Sequence, residues 1–290
     1  MDTQNKYRRI VIKVGSNVLT REDGRPDTTR ISALVDQLAR LHRAGTEFIL
    51  VSSGAVASGR SLLETRVGRI DTVSARQLFS AVGQVKLLNR YYDLFNEYGI
   101  VCGQVLTTKE SLSTRRQYLN QRNCMETMLA NGVLPIVNEN DSLASNEIRF
   151  GDNDRLSALV ANLVRADALV LLTDVDGLYT APPSTPGARR IGFVPNVIDT
   201  IGDVQVAGSS SGVGTGGMVT KLDAARVAAV SGIPAVLTSA TNTGPALMGD
   251  PVGTVFAPVK HRGSSRRLWI GFASDPRGAL VADAGAAKAV

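Results

Sequence analysis

The feature that most constrains the fold of this chain is an alternation between short apolar runs and segments of helical periodicity, which extends from Arg9 to about Phe256. The apolar runs, such as RIVIKV at Arg9–Val14, have the length and composition of strands covered on both faces. Between them, apolar residues recur about every 3.6 residues, as in amphipathic helices. The alternation predicts an α/β fold with a mostly parallel sheet and helices on both of its faces.

The regular alternation of predicted elements ends near residue 256, where the periodicity is lost. The first helix is predicted to be capped by Thr29 and closed by Gly45. A domain boundary is predicted near Pro258, with a main domain over 1–258 and a linker and incomplete module over 259–290. Strands are predicted at 9–14, 48–51, 100–106, 134–137, 168–172, 235–238 and, in the tail, 266–272, and the longest helix at 73–97.

The composition is that of an ordinary globular protein, because 290 residues with 43% hydrophobic composition can bury a large core. No segment approaches the ~20 continuous apolar residues that span a bilayer, so we expect a cytoplasmic protein with no membrane partner. Cys102 lies in an apolar run and Cys124 in a helical pattern. We expect both to be reduced, buried thiols rather than parts of a disulfide framework.

The net charge of +6 suits either a nucleic-acid binder or a protein that handles small anions. The basic residues are scattered and form no long stripe interleaved with aromatic residues. Nucleic-acid binding is therefore not expected as the main function.

Polar and glycine-containing sequences follow several predicted strands, at the sheet edge where α/β proteins bind ligands. They are KVGSN at 13–17, SSGA at 52–55, NEND at 138–141 and TD at 173–174. Gly15 and Gly54 allow backbone N–H groups to approach an anion, and a helix predicted after each adds its positive end. These are phosphate-binding features without the GxxxxGK[ST] sequence of a P-loop.

A second glycine-rich sequence, GVGTGGMVTK at 212–221, leads into a predicted helix. It contains GxGxxG, but that match is weak because no strand precedes it. We interpret it as a loop whose N–H groups surround nucleotide phosphates, with Lys221 in the first helical turn. The alternatives are a flexible linker and a solvated helical lysine.

Lys13 lies inside an apolar strand, where a charge is costly unless it meets an anion. The alternative is a lysine of an edge strand whose ammonium group extends to solvent. The sequence GDND stands directly before the helix predicted at 155–164, and it contains more polar residues than are needed to cap that helix.

His42 and His261 are the only histidines, so a histidine base or metal cluster is not expected. Phosphoryl transfer to a carboxylate needs no base, since a carboxyl of pKa ~4.3 is already ionised.

The motifs KVGSN, SSGAVASGR, AVGQ, NENDS, GDND, LLTDVDGLYT and GTGGMVTK, in this order, resemble those of the glutamate 5-kinases of the amino acid kinase family. The resemblance covers roughly residues 9–256. It implies an αβα sandwich, ATP and Mg²⁺ as cofactors, and formation of L-glutamyl 5-phosphate in the first step of proline biosynthesis.

The resemblance also implies roles for individual residues. Lys13 and Lys221 would stabilise the transferring phosphoryl group, and Asp154 would orient both lysines. N–H groups of Gly15 and Gly54 would contact the phosphates. The implied glutamate-binding residues are Ser53, Asn138, Asp141, Asp152 and Asn153, and the implied nucleotide-binding residues are Thr173, Asp174, Thr215, Gly216, Gly217, Met218, Val219, Thr220 and Lys221.

The implied partners are L-glutamate, MgATP, proline as a feedback inhibitor and further copies of the chain, as a dimer or tetramer assembled through the long helix. Many bacterial members end in a complete PUA domain, of which 266–290 resembles only the beginning. The competing hypotheses are a family kinase acting on N-acetylglutamate, aspartate, carbamate or a nucleoside monophosphate, and an RNA-binding protein.

Overall fold

The computed structural model describes residues 7–21, 23, 25–63, 68, 70–143, 153–197, 217–260, 265–273 and 285. Its centre is an eight-stranded sheet of order β3-β4-β2-β1-β5-β9-β10-β8. The pairs from β3 to β9 are all parallel, and β10 is antiparallel to β9. The strands are β1 Arg9–Val14, β2 Glu47–Ser52, β3 Val101–Thr107, β4 Val133–Glu139, β5 Ala168–Thr173, β6 Leu178–Tyr179, β7 Arg190–Ile191, β8 Phe193–Val194, β9 Ala235–Ser239 and β10 Thr254–Phe256.

Helices cover both faces of this sheet and produce two separate hydrophobic clusters. On β1, Ile10, Ile12 and Val14 join one cluster, whereas Val11 joins the other. The fold is therefore the predicted three-layer αβα sandwich. The helices are α1 Ser16–Leu19, α2 Thr28–Arg43, α3 Ala55–Leu63, α4 Thr72–Asn96, α5 Lys109–Ser113, α6 Arg115–Ala130, α7 Asn153–Leu163, α8 Met218–Val230, α9 Thr243–Met248 and α10 Ser265–Phe272.

Two predictions about the ends of helices need correction. Helix α2 begins one residue before the predicted cap, and the Asp27 carboxylate, not Thr29, accepts the N–H groups of Thr29 and Arg30. Helix α7 begins at Asn153, so Asp154 lies in its first turn, where the helix dipole favours a negative charge.

The predicted strand at 266–272 is wrong, because these residues form α10. Trp269 and Phe272 pack against the hydrophobic cluster that contains α7 and α8, and Leu268 is buried. The indole N–H of Trp269 donates to Leu112 O at 2.8 Å. The buried and packed residues Leu268, Trp269 and Phe272 thus lie on one side of the segment, as in an amphipathic helix. The division into domains stays a prediction.

The predicted burial of the cysteines is also only partly right. Cys102 is half-buried, and burial raises the pKa of its thiol to about 12. Cys124 is exposed on α6, and both cysteines are free.

Helices α3 and α4 cross at unusually close range because of two glycines. A Cβ on Gly59 would lie 1.8 Å from Phe79 O, and one on Gly83 would lie 1.8 Å from Ala55 O. Any side chain larger than hydrogen at either position would separate the helices. This contact fixes α4 beside the start of α3, directly after β2.

Among the described residues, we find no helix with the length and hydropathy required to cross a membrane.

Candidate active site

The alternation of side chains along β1 determines the face of the sheet on which Lys13 lies. It lies in the middle of the sheet, in register with Val51 of β2 and Leu171 of β5. Side chains two residues apart share a sheet face, so Lys13 is on the same face as Val11, where α7 and α8 pack. The Lys13 side chain, which the sequence places as a charge in an apolar strand, therefore lies against residues of these two helices.

The centre of the site is a buried carboxylate held between two lysines. Lys13 Nζ lies 2.5 Å from Asp154 Oδ1, and Lys221 Nζ lies 3.3 Å from Asp154 Oδ2. Asp154 is fully buried, and the two lysines are 3% and 8% exposed. The structure thus brings together the three residues predicted to be catalytic.

Electrostatics keep this carboxylate ionised. Burial alone would raise the pKa of Asp154, but the charges of Lys13 and Lys221 and hydrogen bonds from Lys13 and Thr220 outweigh burial and lower the pKa to about 2. Asp154 is consequently negative at neutral pH and can hold both ammonium groups in fixed positions.

The start of α8 connects this centre to the predicted nucleotide-binding segment. The Thr220 hydroxyl lies 2.8 Å from Asp154 Oδ2 and 2.8 Å from Gly217 O. Gly217 is the residue before α8, Met218 is partly buried against the core, and Val219 is 61% exposed. The first turn of α8 therefore presents Lys221 inward. Thr215 and Gly216 lie outside the described residues.

The other predicted phosphate-binding residues lie at the carboxyl ends of β1, β2 and β5. Gly54 has φ +104°, a conformation that favours glycine, and precedes α3. The Gly15 N–H donates to Leu172 O at 3.3 Å, so a phosphate would have to share or replace this long bond. The role of Gly15 as a phosphate donor stays a prediction.

Thr173 and Asp174 follow β5 at the same edge. Burial acts to raise the pKa of Asp174, but hydrogen bonds from Thr173 and Asn17 and the charge of Lys221 lower it overall. The Thr173 hydroxyl donates to Asp174 Oδ1 at 2.8 Å, and Asn17 Nδ2 lies 3.4 Å from Oδ2. Asp174 is therefore an ionised carboxylate near Lys221.

The predicted acceptor pocket is built around a chain of amide side chains. Asn153 Nδ2 donates to Asn138 Oδ1 at 2.8 Å and to Ser53 Oγ at 3.0 Å. Asn138 Nδ2 in turn donates to Gln84 Oε1 at 2.7 Å. Asn153 Oδ1 is buried and has no hydrogen-bond partner among the described residues. It can accept a hydrogen bond from a ligand.

Asp141 lies in the turn after β4, three residues beyond Asn138. The guanidinium of Arg76 lies against it, with Nε 3.0 Å and Nη2 2.9 Å from Oδ1. Predicted pocket residues Ser53, Asn138, Asp141 and Asn153 are thus brought into one region, whereas Asp152 lies outside the described residues. The sequence prediction missed Arg76 and gave Gln84 no role, although Gln84 ends the AVGQ motif.

Comparison with known proteins identifies the class to which this fold and site belong. The chain belongs to the amino acid kinase family, whose sequence profile matches residues 8–239. Glutamate 5-kinase of Bifidobacterium longum subsp. infantis is 63% identical over 281 residues, covering 97% of this chain and 74% of that protein. Glutamate 5-kinase of Bacteroides thetaiotaomicron is 50% identical over 272 residues, covering 92% and 75%. The predicted membership of the glutamate 5-kinase group within the family is confirmed.

Solved structures of other kinases share the fold. Carbamate kinase from Giardia lamblia bound to AMP-PNP has a TM-score of 0.67 and 17% identity, covering 89% of this chain and all of that one. UMP kinase from Bacillus anthracis has a TM-score of 0.58 and 18% identity, covering 87% and 96%. At these identities the similarity concerns the fold alone, and it confirms the predicted αβα sandwich.

Proposed function

We propose that this ATP-dependent kinase transfers the γ-phosphoryl group of ATP to the side-chain carboxylate of L-glutamate, giving L-glutamyl 5-phosphate for proline biosynthesis. The observation that carries the proposal is the convergence of Lys13 and Lys221 on the buried Asp154 carboxylate. Two fixed cations suit the transfer of a highly charged phosphoryl group. The glutamate 5-kinase relatives support glutamate as the acceptor.

In this mechanism, an oxygen of the acceptor carboxylate forms a bond to the γ-phosphorus while the bond from γ-phosphorus to the β,γ-bridging oxygen breaks. ADP leaves, and no proton has to be removed from the acceptor because the carboxylate is already ionised. Lys13 and Lys221 neutralise charge that shifts between donor and acceptor oxygens. Asp154 orients the two ammonium groups through its separate oxygens.

On the nucleotide side, the first turn of α8 presents backbone N–H groups and the positive end of the helix dipole towards the phosphates. Mg²⁺ is generally held by substrate phosphates with one or two carboxylates and several waters. Asp174, ionised and close enough to Lys221 to be influenced by its charge, is suited to orient such an ion. Bound with ATP, Mg²⁺ would neutralise phosphate charge.

On the acceptor side, Asn153 Oδ1 and the Asp141 carboxylate provide hydrogen-bond acceptors suited to a free ammonium group. Ser53 and Asn138 position the Asn153 side chain through its Nδ2. This arrangement favours an amino acid with an unmodified α-ammonium group over an acylated one.

We therefore expect phosphorylation of L-glutamate, and a kcat/KM for N-acetyl-L-glutamate lower by at least ~10²-fold, because an acetyl group removes the charge that Asp141 pairs with. The measurement is acyl-hydroxamate formation with hydroxylamine, at saturating ATP and Mg²⁺. ADP release with aspartate, carbamate and UMP tests the competing acceptors. Equal turnover of glutamate and N-acetylglutamate would overturn the glutamate assignment.

We also propose that proline binds at or over the glutamate pocket, and that the chain acts in the cytoplasm as a homo-oligomer. The outer side of α4 supports assembly, because Leu78, Val85 and Tyr92 recur at heptad spacing and are 39%, 61% and 49% exposed.

The kinetic test of proline binding is inhibition by proline at several glutamate concentrations. A rising apparent KM at constant kcat is expected, and no inhibition at millimolar proline would contradict it.

A further inference from the structure

We infer that Arg76 is a specificity-determining residue that binds the α-carboxylate of the amino acid substrate, beside Asp141, which takes its α-ammonium group. The inference rests on the proposed function and extends it to a residue on α4. It follows from the position of Arg76 along the pocket, from the geometry of its contact with Asp141, and from the charges of a free amino acid.

Position along α4 places Arg76 at the end of the pocket away from the lysines. Residues 76, 80 and 84 lie on one side of the helix because they are separated by four residues. Ser80 and Gln84 on this side are buried, and Gln84 contacts Asn138. Eight residues correspond to ~12 Å along the helix axis. Arg76 therefore lies about that far from Gln84, on the side of α4 that faces the pocket.

The contact between Arg76 and Asp141 leaves binding capacity on both groups. Nε and Nη2 both approach Oδ1, at 3.0 and 2.9 Å. A guanidinium has five N–H donors and a carboxylate has two oxygens. Among the described residues, neither Arg76 nor Asp141 makes a further side-chain hydrogen bond or ion pair, so Oδ2 and the remaining N–H donors can bind a ligand.

The exposure of the pair supports a binding role. The side chains of Arg76 and Asp141 are 28% and 9% exposed, so the charges are shielded from bulk water yet still reachable from one side. A charge in such a position interacts with a ligand more strongly than a fully exposed one does. A guanidinium also matches the geometry of a carboxylate, with two parallel hydrogen bonds.

The chemistry of the acceptor fixes the orientation of the amino acid. Its side-chain carboxylate has to meet the phosphoryl group near Lys13 and Lys221, so its α-carbon lies towards the other end of the pocket. That end carries one positive and one negative side chain in contact. The α-carbon likewise carries one ammonium and one carboxylate group, so the two pairs of charges are complementary.

The test compares L-glutamate with 4-aminobutyrate, which is glutamate without its α-carboxylate but with the same ammonium group. In Arg76→Gln, we expect the KM for glutamate to rise by ~10–100-fold, as for the loss of charge-assisted hydrogen bonds, with kcat changed by less than about threefold. The Ki of 4-aminobutyrate as a competitor should change by less than about threefold. Arg76→Lys should recover part of the lost affinity for glutamate.

The matched control is Arg90→Gln, because Arg90 is an exposed arginine on the same helix whose side chain donates to Thr28 Oγ1 at 3.0 Å. It should leave the KM unchanged, and thermal unfolding should confirm that all variants are folded. If Arg76 only holds Asp141 in place, the affinities for glutamate and 4-aminobutyrate will fall by the same factor, and the inference is wrong.

An unchanged glutamate KM in Arg76→Gln would also overturn the inference, while leaving the proposed function intact. The proposed function itself fails if the unmodified protein does not phosphorylate glutamate. The two failures are therefore distinguished by the wild-type assay alone.

Discussion

Replacing Lys13 or Lys221 with alanine is expected to lower kcat for glutamate phosphorylation by ~10²–10³, while the KM for glutamate changes much less. Both ammonium groups are held by Asp154 rather than by solvent. The ammonium groups are thus preorganised. Their attraction to the transferring phosphoryl group is strongest when negative charge is redistributed between the donor and acceptor oxygens. Contacts that strengthen in the transition state affect kcat more than substrate binding.

The measurement is steady-state hydroxamate formation with glutamate and MgATP varied in turn. Lys86→Ala is the matched control, because Lys86 lies exposed on α4 and has no predicted role in the site. Near-normal kcat in both lysine variants, or a defect confined to KM, would show that these lysines do not stabilise the transition state.

Stability has to be measured in parallel, because removal of one lysine leaves Asp154 buried with less compensation. Loss of one partner of a buried ion pair typically costs ~3–5 kcal/mol. Here the second lysine remains in contact with the carboxylate, so we expect a smaller loss and a folded protein. Circular dichroism and thermal unfolding separate this effect from a loss of catalysis.

The central sheet and the charged centre could be predicted from the sequence because their signals are local. The six main strands occur within two residues of the predicted limits, since each is an apolar run followed by polar or turn residues. Lys13 was noticeable as a charge inside such a run. Asp154 was noticeable because GDND contains more polar residues than a helix cap needs.

Arg76 and Gln84 could not be assigned in the same way, because their contacts depend on how α4 crosses α3. Their partners Asp141 and Asn138 are 65 and 54 residues away in the chain. The crossing is set by the backbone contact at Gly83, where no side chain fits. In the sequence, Arg76 is indistinguishable from any other arginine on a helix.

The strand predicted at 266–272 failed for a related reason. Leu268, Trp269 and Ile270 are consecutive apolar residues in a short segment, and such a run does not distinguish strand from helix by periodicity. The tertiary environment decides, since Trp269 packs against the core and donates to Leu112 O, and Arg155 Nη2 donates to Phe272 O at 3.2 Å. None of these three contacts is visible from the local sequence.

Asp154→Asn is expected to lower kcat by a factor comparable to that of the lysine variants, although Asp154 is not itself required to touch the phosphoryl group. An amide keeps the size of the side chain but removes the negative charge that holds Lys13 and Lys221. The two ammonium groups would then repel each other and lose their common anchor. The defect should appear in kcat, with a smaller change in the KM for glutamate.

The double variant Asp154→Asn with Lys221→Ala distinguishes a functional unit from independent residues. If Asp154 acts by positioning Lys221 and Lys13, the combined loss in log kcat will be smaller than the sum of the single losses, because a misplaced lysine contributes little before it is removed. Additive losses would contradict the positioning role and assign Asp154 a separate function.

The pH dependence of stability provides a second readout for Asp154 that does not involve catalysis. Its pKa in the folded protein is lowered to about 2 from an ordinary value of 3.8, so the ionised form stabilises the fold at every pH above the ordinary value. This contribution is lost as the pH falls from the ordinary pKa towards the folded-state pKa. Thermal unfolding of the wild type should therefore show a larger loss of Tm than Asp154→Asn between about pH 4 and pH 2. Parallel curves for the two proteins would mean that the charge of Asp154 contributes nothing to the fold, and would remove the physical basis for its anchoring of both lysines.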